Sequence, residues 1–149
     1  DYVKSNKRVL LLLSRLFSEV KIPYEIFKEV NEITLIDADE YHLDVFYPDS
    51  DVLYEAANIQ NPLSFQDNVC FMEAQRNRWA IITNDRKLKE LCESENIQTY
   101  WGLQVIVLMV QKGIMTKKMA LKTAEKIGSV NTWISSSVFN DFIRKLENL

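Results

Sequence analysis

A chain of 149 residues, 47% hydrophobic and 26% charged, can bury one good core; it is too short for two comfortable domains and too apolar for wholesale disorder. No stretch approaches the roughly 18 uninterrupted apolar residues of a membrane span, so a soluble protein is expected. A formal charge of −3 excludes holding nucleic acid by net charge alone; a phosphodiester enzyme of this balance would need metal ions and local basic runs.

The sequence begins at Asp1 with neither an initiator methionine nor a signal peptide, and its start reads as trimmed. Residues 9–17, apolar except at Ser14 and Arg15, predict a mostly buried helix. Residues 19–22 are β-prone and run into Pro23, which suits the first turn of a helix because its missing N–H costs nothing there. That helix would continue over residues 24–30, with Ile26, Phe27 and Val30 facing inward. Residues 33–36 predict a second strand. Asp37, Asp39, Glu40, Asp44, Asp49 and Asp51 then read as a solvated connection, lacking the glycine and terminal glutamate of an EF-hand loop.

A short helix is expected over residues 52–59, ended by Pro62. Ser64 has the place of an N-cap, with Asp67 three residues on, and opens a helix carrying Val69, Cys70, Met72 and Ala74. WAIIT (residues 79–83) has the continuous apolar character of a parallel strand covered on both faces. Asn84-Asp85 closes it, and Leu88, Leu91 and Cys92 recur at helical spacing. A strand at 97–100, an apolar helix at 103–111, a helix capped by Thr116 and a last helix after residues 135–137 complete the pattern. In that last helix Val138, Phe139, Phe142, Ile143 and Leu146 form one stripe. Alternating strands and helices over the first 110 residues predict an α/β fold with a central parallel sheet and helices on both faces. Ligands of such sheets bind beyond the carboxyl ends of the strands.

Asp85 stands at such an end beside Thr83 and Asn84. A carboxylate there would face the crevice, although an acid between strand and helix is also a routine N-cap. Asp67 in a first helical turn has the same two readings, and Glu29 reads as a surface glutamate or a ligand. The three acids come from three different βα units, and such a cluster would hold Mg²⁺ or Mn²⁺ against a phosphate. Other chemistries lack their residues: His42 is the single histidine, Cys70 and Cys92 form no CxxC pair, and no GxSxG, Walker A, GxGxxG or HExxH motif occurs. The cysteines read as reduced core thiols of a cytoplasmic protein. With glycine only at 102, 113 and 128, a phosphate-cradling loop is absent, which disfavours a nucleotide-binding regulator.

LSFQDNVCFMEAQRNRWAIITNDRKL and its continuation to Ala120, LFSEVKIPYEIFKEV (residues 16–30) and WISSSVFNDFIRKL (residues 133–146) together resemble the PIN-domain family over most of the chain. The "IP…E", "LS..D" and "T.ND..L" elements carry the likeness through their order and spacing. The resemblance implies a three-layer α/β nuclease of single-stranded RNA or flap-like nucleic acids using Mg²⁺ or Mn²⁺, in one domain over residues 1–149 with residues 114–149 as a C-terminal helical extension. It implies Glu29, Asp67 and Asp85 as catalytic metal ligands, with Thr83 and Asn84 supporting them. The family's first aspartate ends an apolar opening strand that this sequence lacks; Asp1 is the candidate for it. Lys4, Lys7, Arg8, Arg86, Lys87 and Lys89 are the candidate contacts to RNA. A toxin with a small antitoxin partner is one expectation; the apolar C-terminal helices either pack within the domain or form the face of a homodimer. The alternative is a catalytically degenerate module that binds or regulates.

Overall fold

The computed structural model describes residues 2, 7–132 and 134–149. In chain order its elements are α1 (Arg8–Leu16), β1 (Val20–Pro23), α2 (Tyr24–Phe27), α3 (Leu35–Glu40), β2 (Leu43–Phe46), α4 (Ser50–Asn58), α5 (Phe65–Asn77), β3 (Ile81–Ile82), α6 (Arg86–Ser94), β4 (Thr99–Tyr100), α7 (Gly102–Gln111), α8 (Lys117–Val130) and α9 (Ser136–Glu147). The mixture is that of an α/β protein. Among the described residues the strands pair as β1–β2 and β3–β4, the second pair parallel with Ile81 opposite Thr99 and Ile82 opposite Tyr100. No described helix is long and apolar enough to cross a membrane.

The chain divides into two compact units. The first, Asp1–Val20, Glu32–Asp44 and Gly102–Leu149, is mainly helical. There α7 packs on α1, α8 and α9, and the buried residues are those the helical period places inward: Val9, Leu10 and Leu13; Val105, Ile106 and Met109; Ala120, Ala124 and Ile127; Phe142 and Leu146. Thr116 and Ser135 start α8 and α9 by accepting the backbone N–H groups of Met119 and Val138.

The second unit, Lys21–Asn31 and Val45–Trp101, carries α2, α4, α5, β3, α6 and β4. Its core joins Val52 and Ala56 of α4, Val69, Phe71, Met72 and Ala74 of α5, and Leu88 and Cys92 of α6, with Ile97 beside them. Helix α5 is the hub, touching α2, α4, α6 and β3.

Several expectations are corrected. Pro23 is the residue before α2, not its first turn: with φ −60° and ψ 138° it keeps the extended backbone of β1. Helix α2 stops at Phe27, and residues 28–29 form a turn. Residues 33–36 do not make a strand. Thr34 Oγ1 accepts from Asp37 N at 3.2 Å while Asp37 Oδ2 accepts from Thr34 N at 2.7 Å, a reciprocal capping box that starts α3 and leaves Leu35 and Ile36 exposed. The acidic run is not a bare connection, since it contains most of α3 and all of β2. The strand expected over 79–83 shrinks to Ile81–Ile82, both half-buried. Its first residue is taken by the end of α5: Arg78 turns left-handed (φ 59°), and Trp79 N–H closes on Ala74 O at 3.0 Å as in a Schellman end. Val138, expected inward, is exposed.

Candidate functional site

Glu29, Asp67 and Asp85 all belong to the second unit. The approach to Asp67 is built from amides. Asn61 and Asn68 exchange side-chain hydrogen bonds at 2.7 and 3.0 Å, and Asn61 Oδ1 also accepts from Leu63 N at 3.0 Å. Asn68 is buried, so the exchange satisfies polar groups that burial would otherwise leave costly. Ser64 Oγ next accepts from Asp67 N at 3.1 Å and starts α5, leaving the half-buried Asp67 carboxyl in its first turn.

Asp85 is reached through the parallel pair. Ile81 N donates to Gln98 O and Thr83 N to Tyr100 O, at 2.9 and 3.0 Å. Thr83 Oγ1 accepts from Asp85 N at 3.0 Å, and Asp85 Oδ1 accepts from Leu88 N at 2.8 Å, capping α6. The cap engages Oδ1 alone, and the residue is exposed.

The two acids share a field. Burial pushes the Asp67 carboxyl above the usual carboxylate range; the Asp85 charge pushes in the same direction, and the hydrogen bonds of Ser64 oppose both. One turn along α5, burial lifts the Cys70 thiol to about 12, helped by the Asp67 charge, and burial lifts Cys92 to about 11. Both thiols are free and protonated at neutral pH, Cys92 buried in the core and Cys70 half-buried beside it.

Glu29 stands exposed in the turn after α2, its N–H on Ile26 O at 3.1 Å. Asp1 and Lys4 lie outside the described residues. Among the described residues, no group of three or more His, Cys, Asp or Glu side chains is arranged to hold a metal ion. The donor chemistry of the Asp67–Asp85 pair nevertheless fits one kind of ion. Mg²⁺ is commonly held by one or two carboxylates while keeping several waters, and two oxygen donors that repel each other are what such a cation relieves.

The candidate cations divide. Arg86 pairs with Glu90 at 2.8 Å on the surface of α6, and Lys87 is exposed beside it. Lys89 is largely committed to structure: Nζ donates to Thr99 Oγ1 at 2.9 Å, pairs with Glu93 at 2.8 Å and lies 5.1 Å from the Trp101 ring centre. Lys7 and Arg8 are in the first unit, where Lys7 Nζ donates to Glu32 O at 2.7 Å. The sequence reading missed the Asn61–Asn68 pair and the Lys89–Thr99 tie. Two amides seven residues apart carry no periodic signal, and a lysine on an amphipathic helix looks like any solvated charge.

No curated protein and no solved structure matches this chain. A family model described as a PIN domain matches residues 5–148, from before α1 to the end of α9. The chain belongs to the PIN-domain family.

Proposed function

We propose that this PIN domain, of a generally nuclease-type family, is a metal-dependent endoribonuclease whose metal is held by Asp67 and Asp85. The observation that carries the reading is the like-charge pair: two carboxylates from two helix starts of one unit, with the Asp85 charge adding to the cost of ionising the half-buried Asp67. A bound Mg²⁺ or Mn²⁺ supplies positive charge at the phosphate and a more acidic water. The chain's own residues set the geometry. Ser64 and the Asn61–Asn68 exchange hold the start of α5, and Thr83 Oγ1 holds the turn through Asn84 that presents Asp85. Exposed Arg86 and Lys87 lie within two residues of Asp85, where a phosphodiester would meet them. Single-stranded RNA as substrate, a small antitoxin as partner, a homodimer through the C-terminal helices and a cytoplasmic location belong to the same proposal.

One observation favours a second reading, a degenerate module that binds without cutting: no three donor side chains are grouped among the described residues. Calorimetric titration with Mn²⁺ beside an RNA cleavage assay separates the two. The nuclease binds Mn²⁺ and cleaves, and Asp85→Asn weakens both. A chain that takes up no Mn²⁺ and leaves RNA intact is the module.

A further inference from the structure

The first unit carries a pocket of about 240 Å³ lined by Arg8 of α1 and by Met119, Lys122, Thr123 and Lys126 of α8. Three of the five lining residues are cations, in a chain whose net charge is −3. Lys122 and Lys126 stand four apart on one helix face, an arrangement of like charges that costs helix stability. Among the described residues neither makes an ion pair, and Glu125, the acid between them in sequence, is not part of the lining. Unrelieved charge of this kind is what an anionic ligand offsets.

We infer that the Arg8–Lys122–Lys126 pocket docks the phosphate backbone of single-stranded RNA. This rests on the nucleic-acid reading above and adds to it a binding site made of residues other than the acids. The volume suits a hydrated phosphate, since a water occupies about 30 Å³. Met119 and the buried Thr123 complete the lining beneath the exposed cations. Lys122 and Lys126 are about 6 Å apart along the helix axis, comparable to the step between neighbouring phosphates of an extended strand. An acidic polypeptide would use the same charges but would also want partners for its backbone amides. The lining offers chiefly cationic donors.

Binding is measured without cleavage, by fluorescence anisotropy of a labelled single-stranded oligouridylate with the whole chain in EDTA, over a range of salt. Lys122→Gln/Lys126→Gln should lower the slope of log K against log salt by roughly 1.4, at about 0.7 per phosphate contact on a single strand. Lys112→Gln/Lys117→Gln removes the same charge from residues of this unit that do not line the pocket, and should change the slope far less. All four lysines are exposed, and circular dichroism checks that each variant folds. An unchanged slope in the first variant, or an equal loss in the second, overturns the site. So does RNA binding indifferent to the first variant alongside a polyglutamate that depends on it, which would assign the pocket to an acidic protein partner. A parent chain that cleaves nothing but shows the slope change sinks the nuclease reading and leaves this site standing.

Discussion

Replacing Asp85 in two ways separates its structural work from its chemical work. Asp85 Oδ1 accepts the Leu88 N–H at 2.8 Å, and Leu88 is 2% exposed in the core of the second unit. Alanine removes that acceptor and should cost about 1 kcal/mol, within the range of roughly 0.5–2 for a lost N-cap. In a chain of this length about 1 kcal/mol lowers Tm by about 2–4 °C. Asparagine keeps a capping oxygen and removes only the charge, so its Tm should stay within about 1 °C of the parent. The charge has a second readout. An acid whose folded pKa is raised binds its proton more tightly in the folded state, so Asp67 withdraws stability as pH rises from its unfolded value through its folded one. With Asp85→Asn the Asp67 carboxyl should move back toward the ordinary range, followed by NMR titration, and that loss of stability should shrink. Both variants should lose Mn²⁺-dependent cleavage. Equal melting of the two variants would refute the capping argument; an Asp67 titration unmoved by Asp85→Asn would refute the shared field and the metal site built on it.

Ser64→Ala removes the cap of α5 and should cost about 1 kcal/mol by thermal unfolding. The same change should raise the Asp67 pKa further, because the Ser64 side-chain hydrogen bond holds it down. Leu88→Ala, deep in the core, should cost about 2–5 kcal/mol in a denaturant melt. With their pKa values lifted to about 12 and about 11, Cys70 and Cys92 should resist a thiol reagent at pH 8 in the folded chain and react once it is denatured.

The parts legible in the sequence are those governed by residues close together. Ser64, Asp85, Thr116 and Ser135 each cap the helix that follows because a short side chain three residues before a backbone N–H can reach it. The same local chemistry also misled. Ile33–Ile36 is β-prone by composition, yet the Thr34–Asp37 box decides the segment, and it lies inside the run that was read for its hydrophobicity. β2 was hidden because Asp44 in the middle of Leu43–Phe46 looks like one more acid of a charged loop. Tertiary pairings left less trace: Asp67 and Asp85 are grouped in the sequence only by their places at helix starts and by the family resemblance, while that Asn61 meets Asn68, or that Lys122 and Lys126 share a pocket with Arg8, follows from packing between elements. Of the cations singled out for RNA, Arg8 lines that pocket, while its lysine neighbours there carry no signal in the sequence beyond their charge.

For Asp85 the sequence posed a choice between a helix cap and a site acid; the geometry shows the cap and leaves room for the proposed second role. A carboxylate has two oxygens and about four acceptor positions. The cap at Leu88 uses one of them, on Oδ1. What the cap contributes is position: it fixes Asp85 at the mouth of α6 through a bond the fold requires in any case, just as Ser64 fixes Asp67 at the start of α5. Two helix N-termini then offset part of the repulsion between the acids they bring together, and the part that remains is what a cation would take up. On the proposed reading, folding chemistry and site chemistry therefore act on the same residue. A substitution at Asp85 cannot be interpreted by activity alone, because only the asparagine variant leaves the helix start intact while removing the charge.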